Sequence, residues 1–287
     1  MSGLQVYLFN EKKEQDNMQQ FAGSRNYIAS DELIRSVNIA AALQKPLLVK
    51  GEPGTGKTML AESIADSLGM DLFIWNIKST TKAQDGLYVY DTVQRLYDSQ
   101  FGTAGVDDIS RYIKLGKLGE AFEREDQVVL LIDEIDKADL EFPNDLLWEL
   151  DQMEFYIPET GRTVKAKKRP IVIITSNAEK ELPDAFLRRC IFHYIAFPNE
   201  EMMQKIVMAH YPDIKQNLMD NAIRAFYRLR SLAGINKKPA TSELLDWIRA
   251  LQIGGITEDD MKQVLPYIGV LLKKTEDLQL AAKEHLY

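Results

Sequence analysis

The chain has 287 residues, 45% hydrophobic and 27% charged, which are ordinary globular proportions and exclude a fibrous or disordered reading. Its net charge of −8 gives no electrostatic reason for general nucleic-acid binding. A single cysteine, Cys190, rules out an intrachain disulfide framework, and with only three histidines a His/Cys metal cluster is not expected. Asn10 to Gln20 is almost wholly polar, unlike a secretory signal, and no apolar run approaches the roughly 18 residues of a membrane span. A cytoplasmic place of action, away from membranes, is therefore expected.

Residues 1–29 are polar and weakly patterned and read as a surface arm or a short amphipathic helix. From Ser30 or Asp31, either of which can cap a helix, Leu33, Ile34, Val37, Ile39 and Ala40 supply an apolar helical face. Pro46-Leu-Leu-Val-Lys50 reads as a short buried strand, followed by a glycine-rich loop and a helix from about Lys57 to Leu68 that ends near Gly69. Strand-like runs recur at Leu72–Ile77, Val128–Ile132, Ile171–Thr175 and Ile191–Phe197. Most are apolar at consecutive positions, the pattern of parallel strands covered on both faces, and helical segments lie between them. Two stretches interrupt the alternation: Ser79–Phe101, and Phe155–Arg169, whose Glu159-Thr-Gly-Arg162 turn predicts a hairpin. After Pro198 the spacing is helical at Met202–Tyr211, Lys215–Leu232, Thr241–Leu251 and Thr257–Lys274. The expected organisation is an arm (1–29), a three-layer α/β domain with a mainly parallel sheet (30–198) and a small all-helical domain (199–287).

Gly51-Glu52-Pro53-Gly54-Thr55-Gly56-Lys57-Thr58 matches G-x-x-x-x-G-K-[ST] in full, between a strand and a helix, with Met59 next in line. Glycines let backbone N–H groups turn inward around phosphates, and the helix start adds its positive end. Lys57 would place a point charge on the β- and γ-phosphates of ATP, and the Thr58 hydroxyl would be a Mg²⁺ ligand.

Val128-Val-Leu-Leu-Ile-Asp133-Glu134 is an apolar strand ending in two carboxylates. Ligands of α/β sheets gather beyond the carboxyl ends of the strands, so Asp133 is expected beside the loop as a Mg²⁺ ligand. Glu134 is then placed to polarise the attacking water, which favours a hydrolase over a kinase. Asp136 and Lys137 read as structural or subunit-facing residues.

With these motifs the chain resembles the AAA+ superfamily from about Ser30 to its C-terminal helices. The resemblance implies that Asn177, in the turn Thr175-Ser-Asn177, orients the attacking water or contacts the γ-phosphate. It also implies that Leu182-Pro-Asp-Ala-Phe-Leu-Arg188-Arg189-Cys190 carries an arginine that reaches a neighbouring subunit, Arg189 first and Arg188 second.

Within the superfamily the chain is similar to the MoxR group, through Tyr112–Phe122, through Phe142–Leu150 with Ile157–Gly161, and through an insert at Ser79–Phe101. It departs where the group carries an arginine after a lid proline: Pro239 is followed by Ala240, and Lys238 is the candidate substitute. The resemblance implies a ring, most simply a hexamer, acting on a separate client protein that can bear a von Willebrand factor A domain. The alternative is a nucleic-acid-acting or restriction-type NTPase subunit, supported only by the basic run Val164–Arg169.

Overall fold

The computed structural model describes residues 20–24, 27–102, 105–256, 260 and 265–284. Most of the expected N-terminal arm, residues 1–19, lies outside the described residues, as do residues 257–259 and 261–264 of the last expected helix. The described residues divide into two compact units: those within 20–24, 29–51 and 57–195 form one, and those within 27–28, 52–56 and 196–284 the other.

The first unit is an α/β layer structure. Helix α1 (Asp31–Ala42) starts where Ser30 Oγ accepts from the Leu33 N–H at 3.2 Å, a cap worth about 1 kcal/mol. It leads into β1 (Leu47–Gly51), α2 (Lys57–Leu68) and β2 (Leu72–Asn76). Strands β5 (Val129–Asp133), β8 (Ile171–Ser176) and β9 (Ile191–Ile195) complete a five-stranded sheet in the order β2-β5-β8-β1-β9, with every pair parallel. The consecutive apolar runs have their explanation here, since β5 and β8 are buried at every position. One face carries Leu48, Leu130, Ile132, Val172 and Ile174 into a cluster with Phe122, Phe142 and Phe186. The alternate residues Leu47, Val49, Val129, Leu131 and Ile173 are equally buried, on the side where α2 packs.

The first interruption of the alternation folds as α3 (Ala83–Leu87), β3 (Tyr88–Tyr90) and α4 (Thr92–Gln100). Strand β3 pairs antiparallel with β4 (Ile113–Leu115), ahead of α5 (Lys117–Glu123), whose N-cap is Gly116. Gly86 and Gly116 are tight packing points: a Cβ on Gly86 would meet the Trp75 ring at 2.3 Å, and one on Gly116 the Asp85 carbonyl oxygen at 2.2 Å. Helix α4 buries none of its residues and leaves Val93, Leu96, Tyr97 and Phe101 exposed along one side. Phe142–Leu150 is two short helices, α6 (Phe142–Asp145) and α7 (Leu147–Gln152), meeting at Leu146. The second interruption is the hairpin of β6 (Glu154–Ile157) and β7 (Arg162–Lys165), and α8 (Asp184–Leu187) precedes β9.

The second unit is helical beyond Ala196: α9 (Glu200–His210), α10 (Gln216–Arg230), α11 (Thr241–Ile253) and α12 (Thr275–Lys283). In place of the late part of the expected Thr257–Lys274 helix, a 3₁₀ turn forms at Ile268–Val270 behind a left-handed Tyr267. The core centres on Trp247, Phe226, Leu244 and Met203. Trp247 is fully buried and donates its indole N–H to the Pro266 carbonyl at 2.6 Å. Trp247→Ala should therefore cost about 3–5 kcal/mol through the cavity it leaves, read as a lower denaturation midpoint in urea. A midpoint shift equivalent to under about 1 kcal/mol would contradict this packing.

Candidate active site

The phosphate-binding loop joins the end of β1 to the start of α2. Gly54 (φ +75°) and Gly56 (φ +83°) hold left-handed backbone that a side chain would strain. Gly54 is doubly constrained, because a Cβ there would lie 2.3 Å from Ala240 Cβ. The Tyr27 ring occupies the same position against Gly56, at 3.1 Å, and burial pushes the Tyr27 phenol pKa up. Thr55 is buried and donates to the Glu52 carbonyl at 2.9 Å, which tightens the turn; Pro53 and Met59 are exposed. Lys57 is buried, and its ammonium donates to the Gly51 carbonyl at 2.8 Å.

At the carboxyl edge of the sheet, the Thr58 hydroxyl lies 3.1 Å from both Asp133 carboxylate oxygens. Asp133 is 9% exposed and also accepts from Thr175 Oγ at 2.6 Å. A carboxylate withdrawn from water this far needs such donors or a cation. The oxygens of Thr58 and Asp133 form the small hard donor set that suits Mg²⁺, which retains water and phosphate ligands instead of needing an all-protein cage. Among the described residues, no group of three or more His, Cys, Asp or Glu could hold a metal.

Glu134 follows β5 in a left-handed conformation, φ +58° and ψ 52°, unusual for a residue with a side chain. Its N–H donates to Thr175 Oγ at 2.8 Å, so one hydroxyl bridges both acidic residues. Asn177 Nδ2 donates to Glu134 Oε1 at 2.7 Å, and the Lys137 ammonium donates to Oε2. The Lys137 pKa is raised above the ordinary lysine range, chiefly by that hydrogen bond. Asp136 is 2% exposed and stitches the two turns together: it accepts from the Asn177 N–H at 3.3 Å and the Glu179 N–H at 2.8 Å. The structure thus brings Thr58, Asp133, Glu134 and Asn177 together.

The two arginines differ. Arg189 is half-exposed; its Nε donates to Asp151 Oδ2 at 2.6 Å and its Nη1 to the Ala185 carbonyl at 2.8 Å. Arg188 is exposed at the end of α8. In the second unit Lys238 is exposed and precedes Pro239, while Ala240 caps α11 against Gly54. The Thr241 hydroxyl beside it is buried and has no hydrogen-bond partner among the described residues. The same unit holds a residue that the sequence reading missed. Arg230 is 10% exposed, lies 3.4 Å over the Phe197 ring, and donates to Glu52 Oε2 at 2.7 Å and to the Pro239 carbonyl at 2.5 Å. Nothing local in the sequence signals that pair, since the partners are 178 residues apart.

The three lysines of the basic run each face a carboxylate. Lys165 pairs with Glu154 at 3.0 Å, Lys167 with Glu125, and Lys168 with Asp126 at 3.4 Å. The Arg169 guanidinium donates to the Leu150 and Asp151 carbonyls.

Residues 46–190, about half the chain, match the AAA domain of the dynein-related subfamily. The chain is 25% identical to Fidgetin-like protein 1 of Drosophila melanogaster over 268 residues, which is 84% of this chain and 45% of that protein. It is 27% identical over 221 residues to Uncharacterized protein YojN of Bacillus subtilis, covering 75% of this chain and 69% of the relative. It is 28% identical over 260 residues to Chaperone protein ClpB of Bacteroides thetaiotaomicron, covering 87% of this chain and 27% of that one. The chain therefore spans less than half the length of the fidgetin-like and ClpB proteins it matches.

Proposed function

Because this chain belongs to the dynein-related subfamily of AAA domains and is an ATPase by class, we propose that it spends Mg²⁺-dependent ATP hydrolysis on remodelling or activating a partner protein, in the manner of MoxR-like proteins. The observation that carries this reading is the Thr58–Asp133 oxygen pair with Glu134 beside it on the same strand end. A purely structural nucleotide module has no need of the second acid. The proposed layout is a nucleotide-binding domain over residues 30–198 and a lid over residues 199–287. The proposed assembly is a homomeric ring, a hexamer by the family resemblance, working in the cytoplasm. No helix among the described residues is long and apolar enough to cross a membrane. The likeness to ClpB supports a chaperone-like role, as does the exposed apolar side of α4, since exposed apolar surface is where partner proteins dock. The client, including one with a von Willebrand factor A domain, belongs to the same proposal.

In this reading the Gly51–Met59 loop and its following helix start receive the phosphates, with Lys57 supplying positive charge. Glu52 and Arg230 steady the loop. Thr58 and Asp133 would hold Mg²⁺, which when bound offsets charge on the transferred phosphoryl group. Glu134 accepts the proton of the attacking water, and Asn177 fixes the carboxylate and the water. Arg189, or Arg188, meets the γ-phosphate of the adjacent subunit. By the family resemblance, Lys238 is the proposed nucleotide-binding residue of the lid. The pairing of Lys165, Lys167 and Lys168 with carboxylates of the same chain weakens the nucleic-acid alternative.

The test is Mg²⁺-ATP hydrolysis by the whole chain, with Lys57→Ala beside it. Loss of a charge-assisted phosphate contact should weaken ATP binding about ten- to a hundredfold, measured by titration with a fluorescent ATP analogue. Unchanged affinity would remove the loop from the site.

A further inference from the structure

We infer that Lys137 is a positioning residue for the hydrolytic step: together with Asn177 it fixes the plane of the Glu134 carboxylate at which the attacking water is received. The inference rests on the ATPase reading above and deepens it.

The sequence Asp133-Glu-Ile-Asp-Lys137 puts the lysine three residues beyond the glutamate, and the 3₁₀ turn Ile135–Lys137 brings its ammonium back onto Glu134 Oε2. Asn177 arrives from the end of the neighbouring strand β8 and takes Oε1. The two donors come from separate elements and grip separate oxygens. A glutamate terminus otherwise rotates over a broad range, whereas here both ends of the O–C–O unit are held. Each carboxylate oxygen has two lone pairs, so one per oxygen remains for a water. The base is thus fixed and still able to accept.

Lys137 itself is anchored by the backbone. Lys180 donates to the carbonyls of Lys137 and Ala138, at 3.3 and 2.7 Å, and Asp136 ties the same turn to the Asn177 loop. Lys137 and Glu134 are 41% and 33% exposed, so solvent screens the pair and its removal should leave folding almost unaffected. What remains for the lysine is orientation. A small misplacement of a reacting group costs on the order of a hundredfold in rate.

The experiment compares Lys137→Ala and Lys137→Arg, each in the wild-type and Glu134→Gln backgrounds, by steady-state Mg²⁺-ATP turnover and ATP-analogue titration. Lys137→Ala should lower kcat about ten- to a hundredfold with the nucleotide Kd unchanged, and Lys137→Arg should restore most of the rate. In the Glu134→Gln background the same substitution should change the residual rate by less than about twofold, because no base remains to be positioned. An unchanged or raised kcat in Lys137→Ala overturns the inference, as does an equal loss in both backgrounds. A crystal structure of Lys137→Ala supplies a readout independent of turnover. A Glu134 carboxylate that has left its position supports the lysine's role and one that has not moved overturns it, even if the wild type proves inactive and the ATPase reading itself fails.

Discussion

Glu134→Gln is expected to bind ATP as the wild type does and to hydrolyse it about 10²–10⁴-fold more slowly, the usual contribution of a positioned general base. The amide keeps the length and shape of the side chain and loses the ability to take a proton. Its surroundings also accommodate it. Glu134 accepts from two donors, Asn177 and Lys137. A glutamine can turn its single oxygen to the lysine, and the Asn177 amide can turn its own oxygen to face the new NH₂. The left-handed backbone at Glu134 is held by Thr175, so the turn survives the substitution. Single-turnover hydrolysis with a parallel ATP titration measures both quantities. Unchanged turnover would remove Glu134 from the reaction. The slow variant is also the bait of choice for testing whether a partner protein is captured, since it prolongs the ATP-bound state.

Arg189→Ala should lose about 10³–10⁵ in turnover while retaining ATP affinity, the range measured for arginines that offset charge on a transferred phosphoryl group in other P-loop enzymes. The loss cannot be charged to folding. Arg189 pairs with Asp151 within its own chain, but both side chains are about two-fifths exposed, and such pairs are worth under about 1 kcal/mol. That pair must open for Arg189 to reach a neighbour, whereas Arg188 is already exposed. Arg188→Ala in parallel therefore decides which of the two acts, by steady-state turnover of each. If both retain activity, the reaction proceeds without either arginine.

Much of the sheet was legible because its signal is local. Consecutive apolar runs such as Val128–Ile132 have no alternation because both faces are covered, and the structure buries β5 completely. The hairpin was legible from Thr160-Gly161, with Gly161 in the left-handed region, φ +67°. The short pairing of β3 with β4 was not, because it joins segments about 25 residues apart with no periodic pattern in either. The division of Phe142–Gln152 into two short helices at Leu146 was not legible either, because nothing in the apolar spacing distinguishes that residue.

In the site, Thr58, Asp133 and Glu134 could be named from motif and strand end and Asn177 from the family resemblance, and they meet in space. Lys137 reads from the sequence as structural or subunit-facing, although its spacing of three residues from Glu134 is visible there; its ammonium lies on the Glu134 carboxylate. Thr175 and Arg230 could not be named. The first acts through a hydroxyl shared by two strands, and the second through a guanidinium whose carboxylate partner is remote in the chain.

In the proposed ring, ATP is hydrolysed at a site completed by a second copy of the chain. Mixing Arg189→Ala with Glu134→Gln tests it most directly. Each protein alone should be nearly inactive, since every site lacks either its base or its neighbour's arginine. In a mixed ring, an Arg189→Ala subunit with intact Glu134 can face the intact Arg189 of a Glu134→Gln neighbour, and that interface is complete. Turnover measured after subunit exchange should rise well above the sum of the two separate rates. If exchange is demonstrated and the mixture stays at that sum, the shared-site account is wrong.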